Sequence, residues 1–337
     1  MTEQPGADER NFYDRERSLD WLTGLFPIWL IALCYYRWAA VWPILPAVAG
    51  YLLVCHLFRL ASRPADGVFS ALISGLLVTF CLPAGVPLWM TAIAGLVAGL
   101  VAALPVLISR RFAQSPLALP LLQPALVGVV LVWLAFPKMV GSFSIPAQWL
   151  TADGVTAATS LAGLTDKAQG IPLMRLFFGV YPGARGQTCS PVLLLAGLYL
   201  GLRRRLRLIA PACMLGTVAV LSWIIWGRPL YGVLCGGVLL AALLLADRTV
   251  APAHYGVQAA TGCLAGIIGI LLRLYTHTDG MAVGVLVACA LAPLTAWLGR
   301  QLYRFGRWGW PKIRPLAEKI REIFAKCKIF EKIKKNS

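Results

Sequence analysis

Ten apolar segments constrain this chain more than any other feature of its sequence. They lie near residues 24–41, 43–58, 67–82, 87–108, 119–136, 190–202, 207–226, 229–246, 256–274 and 281–299. A helix of about 20 apolar residues crosses a bilayer, and fewer suffice where a helix is broken or buried in a bundle. Only 13% of the residues are charged, against about 25% in a soluble domain. The sequence therefore predicts an all-α integral membrane protein with about ten transmembrane helices.

The positions of the basic residues predict how the chain is oriented. With the N-terminus inside, the segments assigned to the cytoplasm hold 24 of the 31 lysines and arginines, as the positive-inside rule requires. Both termini are therefore predicted to be cytoplasmic, and the long loop at residues 137–189 to be outside. Because the formal charge of +17 is distributed between apolar segments, it indicates a bilayer as the partner and not nucleic acid.

The long loop divides the ten segments into two sets of five, and an odd number per set makes a repeated second half inverted. "SALISGLLVTFCLP" is echoed by "YGVLCGGVLLAALLLAD", and Gly95 and Gly99 are echoed by Gly262, Gly266 and Gly269. Chance similarity between apolar helices is the alternative explanation. The predicted organisation is a cytoplasmic N-terminal segment, a first five-helix half, an extracytoplasmic loop, a second five-helix half and a basic amphipathic cytoplasmic tail, at residues 1–23, 24–136, 137–189, 190–299 and 300–337.

The remaining polar residues suggest few sites. The tail predicts an amphipathic helix on the inner leaflet, with a solvated tail as the alternative. Most of the nine cysteines are interpreted as packing residues and the three histidines as interfacial groups, so no metal site is predicted. Asp66 and Asp247 flank short spans, where each would cap a broken helix or face an internal cavity.

The outer loop holds the densest group of polar and small residues, in "TADGVTAATSLAGL" and "YPGARGQTCSP". Taken alone, the first stretch would form a turn and a helix start capped by Asp153, Thr156 or Ser160. In the second stretch, Gly183 and Gly186 would be turn glycines.

These stretches resemble the D subunit of the Rnf electron-transport complex and its relative, the B subunit of the sodium-pumping NADH:quinone oxidoreductase. In that family a stretch of the form D-x-x-S/T-G-A-T carries FMN through a phosphoester bond to its last threonine, which is Thr159 in "DGVTAAT". Three further family blocks are similar to "GARGQTCSPVLLLAGLYL", "LLLADRTVAP" and "DGVFSALISGLLVTFCLPAGVPLW". The resemblance therefore covers about residues 60–300.

The resemblance implies a membrane subunit of a redox-driven ion translocase of the ferredoxin:NAD oxidoreductase type, which relays electrons coupled to Na⁺ or H⁺ transport. Such a subunit has no independent activity and no catalytic residue of its own, and it lies in a bacterial or archaeal cytoplasmic membrane. Its implied partners are the other subunits of the complex and a flavin transferase. Besides covalent FMN, the family leaves room for a second, noncovalent flavin. The implied cofactor-binding residues are Thr159, Asp153, Thr156, Ala158, Gly183, Gly186, Gln187 and Thr188.

Several departures from the family pattern identify a divergent member. Ala157 stands where the family usually has glycine, Gln187 where it has glutamate, Cys189 where it has serine and Gln123 where it has asparagine. If Arg185 lies close to the flavin, it would favour the anionic reduced form. Two alternatives remain open: a flavin-free channel or transporter for a small solute with a fold like that of urea channels, and a structural subunit that has lost its cofactor.

Overall fold

The protein is described here from a computed structural model. It describes residues 7–58, 64–112, 122–140, 143–144, 156–157, 173–179, 183–248, 250, 252, 254–276, 280–297 and 301. The chain divides into two compact units, Met1–Ala292 and Pro293–Ser337. Of the second unit, residues 293–297 and 301 are described, so nearly all of the predicted basic tail lies outside the described residues.

The described residues are almost entirely helical. The helices are α1 (Ala7–Tyr36), α2 (Ile44–Leu57), α3 (Pro64–Cys81), α4 (Leu88–Phe112), α5 (Pro124–Ala135), α6 (Pro137–Val140), α7 (Leu173–Phe178), α8 (Ser190–Leu202), α9 (Ile209–Trp226), α10 (Pro229–Leu234), α11 (Gly236–Ala246), α12 (Tyr255–Thr276) and α13 (Met281–Trp297), with a 3₁₀ turn at Arg37–Ala40. The strands β1 (Phe143–Ser144) and β2 (Thr156–Ala157) form one short antiparallel pair.

Each of the ten predicted segments contains an apolar helix. Among the described residues, three helical stretches are long and apolar enough to cross a membrane, at Arg15–Ala40, Ile209–Trp226 and Tyr255–Tyr275, and seven shorter apolar helices accompany them. Large hydrophobic side chains such as Leu53 and Ile224 are exposed on the outside of the bundle, where a bilayer would cover them. The chain is a multi-pass membrane protein.

Two of the apolar segments predicted from the sequence differ from the helices observed there. The helix α1 begins at Ala7, well before the first apolar segment, because the polar start of the chain continues the same helix. The eighth segment is broken between α10 and α11 at Cys235, whose φ of −65° and ψ of 122° are extended. The Oγ of Ser190 donates a hydrogen bond of 2.5 Å to the carbonyl oxygen of Leu234, which satisfies a group at the break. All eleven residues of α11 are buried.

Small residues allow close contacts in two pairs of helices. The helix α4 packs on α2, and a Cβ on Gly95 would overlap the carbonyl oxygen of Ala47. The helix α12 packs on α9, and a Cβ on Gly262 would overlap the carbonyl oxygen of Ala210. Glycines at such positions let helix backbones approach each other within the membrane.

The helix α1 contacts helices from distant parts of the chain. It is 30 residues long, about 45 Å, and packs against α3 and α8. A Cβ on Gly24 would lie 3.0 Å from the Cγ of Leu200 in α8, so the two helices are in close contact. Pro27 lies inside α1.

Candidate functional site

The loop that precedes α8 is buried, although it consists largely of small and polar residues. All six residues from Gly183 to Thr188 are buried. The loop runs beside the end of α3, where the amide of Gly186 donates to the carbonyl oxygen of Phe80 at 3.1 Å and the amide of Arg185 to that of Leu82 at 3.4 Å. A Cβ on Gly186 would overlap the side chain of Phe80, so glycine is required by this close approach.

Arg185 is the charged group at the centre of this loop, and only 1% of it is exposed. Its Nη1 donates to the carbonyl oxygen of Leu82 at 3.4 Å and its Nη2 to that of Ala84 at 3.1 Å. Burial lowers the pKa of Arg185 to about 10, so the guanidinium stays charged at neutral pH. Its Nε is buried and has no hydrogen-bond acceptor among the described residues, which leaves a donor for an anionic or carbonyl group.

The end of α1 and the segment after α7 hold this loop from other sides. The hydroxyl of Tyr36 donates to the carbonyl oxygen of Gly183 at 3.2 Å, and that of Tyr35 donates to Phe178 at 2.8 Å. Gly179 has a φ of 85°, a left-handed conformation that favours glycine, and a Cβ there would overlap the carbonyl oxygen of Thr188. The main chain of the loop is therefore contacted by three other parts of the chain: the end of α3, the end of α1 and the segment after α7.

The structure brings together four of the eight predicted cofactor residues. Gly183, Gly186, Gln187 and Thr188 lie in the buried loop. The backbone of Thr156 pairs with Ser144 in the strand pair. The others, Asp153, Ala158 and Thr159, lie outside the described residues.

Two features of this site were not predicted from the sequence. The contact of Tyr36 with Gly183 joins residues 147 positions apart, and its only signal was a pair of tyrosines at the end of an apolar segment, as in the aromatic belt of membrane proteins. The partners of Arg185 on the turn after α3 had no local signal.

A polar cavity of about 320 Å³ lies near the other end of α1. Ser18 lines this cavity and Tyr36 contacts the loop before α8. Because they are 18 positions apart on α1, the cavity and the loop are separated by about 27 Å along the helix axis. Serine hydroxyls, an amide and a phenol provide hydrogen-bonding groups among apolar side chains. Its lining residues are Arg17, Ser18, Trp21, Tyr51, Ser70, Ile73, Ser74, Leu77, Gln123, Pro124 and Asp247.

Ion pairs connect α1 to later parts of the chain beside this cavity. An Nη2 of Arg17 binds Asp247 at 2.6 Å, so Asp247 faces the cavity, one of the two roles considered for it. The buried carboxylate of Asp20 binds Arg203 at 2.8 Å and Arg205 at 2.6 Å. The hydrogen bond with Asp20 raises the pKa of the exposed Arg203. These contacts join α1 to the connections after α8 and α11.

Comparison with known proteins identifies the family. The model of the NQR2, RnfD, RnfE family matches residues 14–301, which include both regions described above. The chain is 28% identical over 247 residues to the D subunit of the proton-translocating ferredoxin:NAD(+) oxidoreductase complex of Clostridium ljungdahlii, covering 67% of this chain and 71% of that protein.

Two further relatives show the same breadth of similarity. Identity is 27% over 280 residues, covering 80% of each chain, with the D subunit of the Na(+)-translocating ferredoxin:NAD(+) oxidoreductase complex of Acetobacterium woodii. It is 26% over 296 residues, covering 81% of this chain and 68% of the relative, with the B subunit of the Na(+)-translocating NADH-quinone reductase of Pseudoalteromonas atlantica. At this level of identity, and with a family match over most of its length, the chain is a divergent member of the NQR2, RnfD, RnfE family.

Proposed function

We propose that this protein is a membrane subunit of an ion-translocating oxidoreductase complex and that it carries FMN through a phosphoester bond to Thr159. The observation that carries the proposal is the family match over residues 14–301, which includes "DGVTAAT". The relatives are named as subunits of complexes that translocate protons or sodium ions. In such a complex this subunit would relay electrons between other subunits, coupled to Na⁺ or H⁺ movement.

The proposed topology has ten spans in two inverted halves, with both termini in the cytoplasm of a bacterium or archaeon. Its first support is that Arg17 contacts Asp247 and Asp20 contacts Arg203, since all these residues lie in or next to segments assigned to the cytoplasm by their basic residues. Its second support is the repeated packing of α4 on α2 and of α12 on α9 through glycines.

The residues present in the buried loop suit a flavin held at the outer face. Bound FMN supplies the ability to accept and release electrons. The cation of Arg185 stabilises negative charge near it, which favours a reduced, anionic ring. Thr159 would form the phosphoester, while Asp153, Thr156 and Ala158 would shape the segment that the flavin transferase recognises.

The experiment that tests this proposal uses Thr159→Ala. The full chain is expressed with its flavin transferase, denatured and separated on a gel that is examined for flavin fluorescence. The wild-type band is expected to fluoresce and the Thr159→Ala band to be dark, because the phosphoester needs the threonine hydroxyl. Ser160→Ala removes the neighbouring hydroxyl and is the matched control, with fluorescence expected to remain. A dark wild-type band, or a fluorescent Thr159→Ala band, would overturn the covalent assignment.

We further propose that the polar cavity holds a second, noncovalent flavin. Its volume lies at the lower end of the roughly 300–1,000 Å³ usual for ligand pockets. Gln123, Ser70 and Ser74 offer the mixed donors and acceptors that a flavin ring edge requires.

The second site is tested with Gln123→Ala. Flavin released by denaturing the purified protein is expected to fall several-fold, because a specific ring contact is lost. The fluorescence attached to Thr159 should remain, so the two sites are distinguished. Leu122→Ala, at the adjacent position, is the control and should release as much flavin as the wild type. Equal release from Gln123→Ala and wild type would contradict this second proposal.

The rival functions predict different results for the isolated subunit and for the assembled complex. A flavin-free channel is suggested by the polar cavity, and it would take up a small solute in proteoliposomes that contain only this subunit. A structural subunit would leave electron transfer by the assembled complex unchanged in Thr159→Ala. Under the flavin proposal, the isolated subunit transports no solute, and Thr159→Ala stops electron transfer in an assembled complex.

A further inference from the structure

An apolar groove of about 490 Å³ lies between α8, α9 and α11, apart from both regions described above. All its lining residues are leucine, glycine, alanine or proline. Two glycines of α8 keep it open. A Cβ on Gly197 would lie 3.9 Å from the Cδ1 of Leu243, and one on Gly201 would lie 3.7 Å from the Cδ2 of Leu208, which are ordinary van der Waals distances.

One end of the groove is formed by the connection between α8 and α9. Leu206 and Leu208 line the groove, and Arg207 lies between them in the chain. The amide of Arg207 donates to the carbonyl oxygen of Ala246 at 2.7 Å, and Ala246 lines the groove as well. This hydrogen bond holds the backbone of a basic residue at the end of the apolar groove.

The same connection is strongly basic. It contains four arginines within five residues, "RRRLR". Asp20 binds Arg203 and Arg205, and Glu16 lies 3.8 Å from Arg205. Arg204 is exposed and has a φ of 53°, at a position after a helix where glycine is usual. An arginine therefore occupies a position where glycine would avoid backbone strain.

We propose that this groove holds an acyl chain of an anionic phospholipid, with the phosphate bound by Arg204 and Arg207. The entirely apolar lining suits a hydrocarbon chain. The connection that contributes Leu206 and Leu208 to the groove also carries Arg204 and Arg207, whose charges complement a phosphate. Basic groups at the ends of membrane helices recognise anionic lipid headgroups in the same way. The inference is independent of the flavin, because none of these residues belongs to the flavin sites.

The size of the groove favours a lipid chain over a helix of a partner subunit. A helix about 10 Å across would fill 490 Å³ within roughly 6 Å of its length, little more than one turn. A flexible hydrocarbon chain is narrower and can follow the space between α8, α9 and α11.

The test measures lipid binding to the purified full chain by native mass spectrometry. The delipidated protein is titrated with phosphatidylglycerol and, separately, with phosphatidylcholine, and phosphatidylglycerol is expected to bind more tightly. Replacing Arg204 and Arg207 together with glutamine should weaken phosphatidylglycerol binding roughly 30-fold, since two charges near the headgroup are removed. Lysine at both positions should retain the binding, because the charge is kept. Arg228→Gln, on the exposed connection after α9, is the control.

A second variant tests the groove itself. Gly197→Leu should fill the groove and abolish tight binding, whereas Gly216→Leu, on an exposed face of α9 with no atom within 4 Å of a Cβ, should leave it unchanged. Equal affinity for the two lipids would overturn the proposal, as would unchanged binding in the glutamine variant. A third result would also overturn the proposal: Gly197→Leu still binds lipid as the isolated chain, but the purified complex that contains this variant lacks a partner subunit. The groove would then hold a helix of that partner.

Discussion

Replacing Arg185 with methionine is expected to lower the free energy of unfolding by about 3 kcal/mol, since two hydrogen bonds from a charged donor are lost at about 1.5 kcal/mol each. Methionine fills much of the same volume but leaves the half-buried carbonyl oxygen of Ala84 without this donor, and the carbonyl oxygen of Leu82 with only the main-chain amide at position 185. Equilibrium unfolding of the purified protein in mixed micelles measures the change. Arg185→Lys should recover only part of the loss, because one ammonium group cannot reproduce a planar fork.

Arg228→Met provides the comparison for this prediction. Arg228 is exposed and lies 5.3 Å from the ring centre of Tyr231, so its removal should cost less than about 1 kcal/mol. If Arg185→Met and Arg228→Met were equally stable, the buried guanidinium would not be what holds the loop before α8 to the end of α3.

Replacing either Gly95 or Gly262 with alanine is expected to destabilise the protein by about 2–3 kcal/mol, because each new Cβ would overlap a carbonyl oxygen of the facing helix. The overlap with Ala47 must separate α4 from α2, and the overlap with Ala210 must separate α12 from α9. Thermal unfolding in detergent micelles provides the measurement. Similar losses at both positions are expected because the two contacts are equivalent in the proposed repeat.

Gly256→Ala is a control on the same helix as Gly262. No atom lies within 4 Å of a Cβ at Gly256, so alanine should be tolerated or should stabilise α12 by up to about 1 kcal/mol through its helix propensity. Destabilisation of Gly256→Ala as large as that of Gly262→Ala would mean that the glycines of α12 act through backbone flexibility and not through close packing.

The helices were predictable from the sequence because the apolar segments directly determine where a chain can be helical in lipid. The sixth segment and α8 share the same bounds, 190–202, since Pro191 fixes the beginning and four arginines follow the end. The break at Cys235 was not predictable in the same way. There the hydroxyl of Ser190, 44 positions away, donates to the carbonyl oxygen of Leu234, and no local pattern indicates that contact.

The candidate site, too, could be predicted from the sequence only in part. Gly183 and Gly186 were identified through family blocks, and the close contact of Gly186 with Phe80 gives a physical reason for glycine there. The ion pair between Arg17 and Asp247 joins residues 230 positions apart, and no local sequence pattern indicates it. The sequence indicates that a carboxylate next to a membrane span carries a large cost in free energy. Only the fold shows which arginine forms an ion pair with that carboxylate.

Pro27 separates the two ends of α1, and this gives the helix an unusual mechanical property. One end is held by Asp20 through two arginines, and the other is held by Tyr36 against Gly183. Proline lacks the amide that would bind the carbonyl of Thr23, so the helix resists bending least near its middle. Each anchored end of α1 can thus tilt with its own partners while the other end keeps its contacts.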